Sequence, residues 1–205
     1  MLGLPASTEI KKLITKKKVY EYFGADMSTD RRKKFDIDIA RMTLTNEVSP
    51  VSINIAAGDE VQNFFVLHIA LKSKEFDQQN ISYISRLFGQ RLIMMLEAEG
   101  QARLALWQTK LIMTEWATPD TLRLPLTGLN LDKVWENIVT RIAGIEIEQG
   151  RTLDEQIAVS AQREKLLKEI SKLEKRARAE RQPKKKFELV KQIQSLRRKA
   201  LNDEN

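Results

Sequence analysis

From Val61 to Leu71 the chain is apolar on both sides of an extended strand: Phe65, Leu67, Ile69 and Leu71 alternate with Phe64, Val66 and His68. A strand with no polar face belongs in the middle of a sheet. Upstream, Met42, Leu44 and Asn46 alternate with Thr43, Thr45 and Glu47, which predicts a second strand closed by Ser49-Pro50. Two short helices are predicted before it. Ser7 or Thr8 caps the first, and Thr15 caps the second, which carries Val19, Tyr20 and Phe23 and stops at Gly24. Ser28-Thr29-Asp30 caps a basic helix that runs through Phe35 and Ile39. Gly58-Asp59 marks a turn.

Further on, Ile81, Ile84, Leu87 and Phe88 recur at helical spacing from about Gln78, and Gly89 ends that helix. Leu92 to Leu96 and Ala102 to Trp107 flank Glu99-Gly100 as a hairpin, with another strand segment at Leu111 to Trp116. Asn130 caps a helix with Leu131, Val134, Trp135, Ile138 and Ile142 on one face, ended by Gly144. The order of elements predicts an α+β fold: a mostly antiparallel sheet with flanking helices.

A different rhythm follows. Thr152-Leu153-Asp154-Glu155 reads as a capping box, and Leu166, Ile170, Leu173 and Ala177 then recur in four-three-four spacing. Arg181-Gln182-Pro183 interrupts, and Leu189, Ile193, Leu196 and Ala200 repeat the spacing. This predicts a basic, coiled-coil-like antiparallel helical hairpin behind the body, the two divided as 1–148 and 149–205. Two such short seams hold a hairpin only marginally, so its apolar row calls for the body, a second copy or a partner.

Charge sharpens this division. Ala161 to Asn205 hold fifteen Lys/Arg against seven Asp/Glu, so they exceed the whole chain's net charge of +7. Residues 1–34 are also basic, whereas 35–160 are acidic. The basic ends therefore have two destinations, the acidic middle of this chain or an external anion. With no Cys, disulfide frameworks, thiol catalysis and Cys-based zinc sites are excluded. The opening Met-Leu-Gly-Leu-Pro lacks the apolar core of a signal peptide, and the longest apolar run, Leu92 to Leu96, is far short of the ~20 residues of a membrane span. A cytoplasmic protein without a membrane partner is the expectation.

Candidate chemistry is sparse. A metal-dependent nuclease needs an Asp and an acidic-x-Lys pair on neighbouring strands, but Glu9-Ile10-Lys11 falls in the first predicted helix. Asp36 and Asp38 read as a solvated face near a helix end, and His68, the only His, as a sheet residue. None of the eight Gly builds a phosphate-binding loop. No catalytic residue, metal ligand or cofactor is assigned.

Arg41 to Ser49 running into Pro50, Leu92 to Glu99, Thr114-Glu115-Trp116, Gly128-Leu129-Asn130-Leu131-Asp132, Val134-Trp135-Glu136-Asn137, Ala143-Gly144 and Glu180-Arg181-Gln182 occur in an order that resembles the domain-of-unknown-function family numbered 4391. The resemblance spans essentially the whole chain. Where many relatives carry an aromatic residue after the Gln of the turn, this chain has Pro183. The resemblance implies a small prokaryotic protein of a kind often encoded among genes for helicase-like ATPases and DNA methyltransferases of phage-defence or restriction-like systems. It implies no reaction.

Two candidate sites follow. Arg176, Arg178, Arg181, Lys184, Lys185 and Lys186 cluster at the hairpin turn, where they serve either phosphate contacts or solvation. Glu115 and Trp116 on a strand, with Trp135 and Asn137 on a helix, form either a pocket or an indole-packing arrangement. The expected role is a non-enzymatic accessory subunit of a DNA-acting complex. Its partners would be a helicase-like ATPase or DNA methyltransferase, duplex DNA backbone, or both. A divergent metal-dependent nuclease and a self-associating scaffold (a homo-oligomer) stand as alternatives.

Overall fold

The computed structural model describes residues 2–88 and 91–202, so the predicted helix stop at Gly89 lies outside the described residues. The chain forms two compact units, Met1–Gly144 and Ile145–Asn205.

The first unit contains strand β1 (Glu9–Ile14), helices α1 (Lys16–Phe23) and α2 (Thr29–Asp38), β2 (Ile39–Val48), the one-turn helix α3 (Pro50–Ile53) and β3 (Phe64–Leu71). It continues with α4 (Gln78–Leu87), β4 (Leu92–Ala98), β5 (Gln101–Gln108), β6 (Lys110–Met113) and α5 (Leu131–Ala143). The caps read from the sequence are in place: the Thr15, Ser28 and Asn130 side chains accept the Lys18, Arg31 and Lys133 amides. Gly144 closes α5 in the left-handed region at φ 64°. Glu99 and Gly100, both at positive φ, make the tight turn between β4 and β5.

The start of the chain differs from expectation. Glu9–Ile14 is a strand, not a helix, and pairs antiparallel with β2. Only Ile14 of its side chains is buried, so no apolar alternation announces it. Its place at the sheet edge explains the lysines, since charge on an edge strand discourages pairing with other chains. Ser49-Pro50, read as a strand end, also starts α3: Ser49 and Ser52 exchange backbone bonds as a capping box.

The six strands stand in chain order, β1-β2-β3-β4-β5-β6. Four neighbouring pairs are antiparallel; β3 and β4 are parallel, joined through α4. One face of the sheet carries Met42, Leu44, Leu67, Ile69, Met94 and Leu96, packed with Val19 of α1, Phe35 of α2 and Ile81 and Ile84 of α4. The other face is served by α5, whose Trp135 ring lies 5.6 Å from that of Phe64. With both faces covered, β3 is apolar on both sides. The Asp132 carboxylate, in the first turn of α5, accepts the amides of Asp59, Glu60 and Val61 at 2.7, 3.2 and 2.7 Å. Gly58 permits this approach: a Cβ there would collide with Asp132 Oδ1.

The second unit is a helical hairpin, α6 (Leu153–Ala179) and α7 (Pro183–Asn202). Thr152 and Glu155 form the capping box. Ile170, Ala177 and Ile193 are the buried centre of the seam, and Leu173, Leu189 and Leu196 pack against them half-buried.

Candidate functional site

The turn of the hairpin gathers the six predicted basic residues. The Glu180 amide still bonds to Arg176 O and ends α6, the Glu180 carboxylate accepts the Gln182 amide at 2.8 Å, and Pro183 opens α7. Arg176 and Arg178 thus occupy the last turn of α6, and Lys184, Lys185 and Lys186 the first turn of α7. All six side chains are exposed. Acidic groups of the hairpin pair elsewhere: Glu164 with Lys168 at 2.5 Å and Glu174 with Arg197 at 2.7 Å. Among the described residues none of the six basic groups has an ion-pair partner. Basic side chains suit a helix C-terminus, but three lysines at an N-terminus add to the positive end of the helix dipole. Positive charge is concentrated there. Beside it, Phe187 is 71% exposed, and Ala177, Val190 and Ile193 line a shallow groove of about 330 Å³ between the helices.

The second predicted site is divided by the sheet. Trp116 packs half-buried on the face covered by α1, α2 and α4, with the Arg103 guanidinium 5.2 Å above its ring. Burial lowers the Arg103 pKa, against the opposing field of Glu115, which is itself exposed. Trp135 lies buried on the α5 face and donates from Nε1 to Gln108 Oε1 at 3.2 Å. Asn137 donates to the Thr127 carbonyl at 2.8 Å. The four residues do not line one cavity: Trp116, Trp135 and Asn137 complete local packing, and Glu115 is exposed.

A cleft that sequence reading missed opens at one end of the sheet. Its volume is about 510 Å³, and it is lined by Glu60, Gln62 and Asn63 before β3, Ser85 and Arg86 at the end of α4, Arg91 before β4, and Trp107 of β5. The Arg86 guanidinium lies 5.7 Å from the Trp107 ring centre. Arg91 lies over Trp135 at 5.5 Å, donates to Gln108 Oε1 at 2.6 Å and reaches Glu60 at 3.4 Å.

The carboxylates weighed for metal chemistry are engaged elsewhere. Asp36 accepts the Tyr20 hydroxyl at 2.7 Å and Lys16 Nζ at 3.0 Å. Burial and that bond to Asp36 raise the Tyr20 pKa. Asp38 accepts the Asp77 amide and the Asn80 side-chain amide. Glu9 pairs with Lys11 at 2.8 Å within β1. His68 Nε2 meets Glu97 Oε2 at 2.7 Å across the parallel pair β3–β4. Among the described residues, no group of three or more His, Asp or Glu side chains is placed to hold a metal ion, and no helix is long and apolar enough to cross a membrane.

Residues 2–199 match the family described as "Domain of unknown function (DUF4391)". The chain belongs to that family. No curated protein and no solved structure matches it. The DUF4391 match runs through both units, so the hairpin is part of the family's shared sequence and not an appendage to it.

Proposed function

We propose that this DUF4391 protein is a non-enzymatic accessory subunit of a DNA-acting complex, of a phage-defence or restriction-like kind in prokaryotes. The hairpin turn is its contact point, on duplex DNA backbone and on a larger partner of the helicase-like ATPase or DNA methyltransferase class. One observation carries this reading: six exposed basic side chains converge at the turn without an acidic partner among the described residues. Three of them stand where a helix by itself favours acids, so folding alone does not account for them. Phosphates supply the missing counter-charge, and such contacts carry little sequence preference.

The test is the change of Lys184, Lys185 and Lys186 together to Glu. Duplex affinity should fall alike for unrelated sequences, and the log–log salt slope should shrink by roughly 0.9 for each phosphate that is no longer neutralised. Co-purification with the partner from the native host should weaken as well. Tight duplex binding untouched by the triple change would move the contact away from the hairpin, to Arg31, Arg32, Lys33 and Lys34. Cleavage of DNA by the purified protein with Mg²⁺, abolished by changing Asp36, Asp38 or Glu115 to Ala, would replace this reading with a nuclease.

A further inference from the structure

We propose that the cleft at the end of β3, β4 and β5 binds a nucleoside phosphate, with the base on Trp107 and the phosphate on Arg86 and Arg91. The site is independent of the hairpin. Its volume of about 510 Å³ is in the range of small-molecule pockets. Its lining combines two guanidinium groups, one carboxylate and an indole, the makings of a site for a ligand that is both anionic and planar.

Each component has free capacity or is held ready. Trp107 is 37% exposed, a large share for an indole on a sheet with two covered faces. The Arg86 guanidinium lies over it, and Arg86 is exposed and forms no ion pair among the described residues. Arg91 is preorganised: its guanidinium carbon lies 5.5 Å over the Trp135 ring centre, and Gln108, itself only 7% exposed, fixes one end of the fork. A guanidinium held in one orientation loses little entropy when it grips a phosphate by two parallel bonds. Its remaining partner, Glu60, is a long 3.4 Å contact from a side chain that is 80% exposed, weak enough for an incoming phosphate to displace. Asn63 and Gln62 donate their amide groups to Glu47 and the Gly58 carbonyl, which leaves their side-chain oxygens to accept from a base or sugar. An inorganic anion would leave the indole unused, and an uncharged ring would leave both guanidinium groups unused.

The ligand is either a free mononucleotide or the phosphorylated end of a DNA strand. Titration calorimetry on the full chain separates them, using adenosine monophosphate, adenosine, inorganic phosphate, an acidic peptide and a 5′-phosphorylated tetranucleotide. The monophosphate or the tetranucleotide should bind at least about tenfold more tightly than adenosine or phosphate, and the tighter of the two names the source. Arg86→Gln, a change at an exposed helix end that spares the fold, should weaken that binding by about tenfold or more. Trp107→Ala should weaken it similarly, with Trp107→Phe largely restoring it. Changing Lys184, Lys185 and Lys186 to Glu should leave monophosphate binding unaltered. The proposal is overturned if neither nucleotide binds into the millimolar range, if phosphate or the acidic peptide binds as tightly, or if Arg86→Gln binds like the parent.

Discussion

The sheet unit buries apolar side chains on two faces and holds several of its carboxylates in local hydrogen bonds. The hairpin buries one thin row and pairs some of its charges, but not those at its turn. In the first, Asp132 takes three backbone amides and Asp38 takes two further donors. In the second, Ile170, Ala177 and Ile193 carry the seam while six basic groups at the turn lack ion-pair partners among the described residues. A region whose interactions close upon themselves is built for stability. Charges that stay open are available to an anion or partner outside the chain. The contrast supports the proposed contact surface without any catalytic motif.

The largest expected effect lies in the sheet unit. Phe64 is fully buried and packs on Trp135, so Phe64→Ala should destabilise this unit by about 3–5 kcal/mol in denaturant titration. A cost below about 1 kcal/mol would show that the α5 face is loosely packed and the contrast overdrawn. Next comes Asp132→Ala, which leaves three amides without their acceptor and should cost about 1–3 kcal/mol. Amide exchange at Asp59, Glu60 and Val61 should rise with it; unchanged exchange would mean that the loop is held by other means.

In the hairpin, Leu173 is half-buried, so Leu173→Ala should cost about 1 kcal/mol, less than the ~2–5 of a filled core. That cost should appear in the hairpin's own transition and leave the sheet unit's melting unchanged. A larger effect with a change in oligomeric state would show that a second copy completes the seam.

The smallest effect concerns acid. Burial opposes the charge on Asp77, but the Gln79 amide and the Arg31 guanidinium overcome it and hold this carboxyl below its ordinary range. A carboxylate whose folded pKa is depressed contributes stability above its unfolded pKa and loses it as pH falls through the folded value. The sheet unit should therefore weaken below about pH 4. Asp77→Asn, which keeps the cap of α4, should flatten that decline. An identical pH profile would assign the acid sensitivity to other groups.

Much of the fold was legible because its signals are local. A cap and the amide it receives lie within three residues, as at Thr15, Ser28, Asn130 and Thr152, and β3 declares its central place through two apolar faces. The strand β1 stayed hidden because an edge strand with one buried residue borrows its structure from β2. The basic turn was legible for the same reason as the caps: its six residues are neighbours in the chain. The cleft was not, since Asn63, Arg86, Arg91 and Trp107 meet only once β3, α4, β4 and β5 have assembled, and none of them carries a spacing signal. The pairing of Trp116 with Trp135 failed because alternation along a strand does not say which face a distant helix will cover.

The strands are laid down side by side in the order in which a ribosome makes them. Each new antiparallel strand meets a neighbour synthesised only moments before, so little unpaired edge waits exposed during translation. The exception is β4, which pairs parallel with β3 only after α4 has emerged and crossed over. A pause in synthesis after β3 has left the ribosome and before β4 has done so would leave a three-stranded half-sheet with β3 as an open edge, the nascent form most exposed to aggregation.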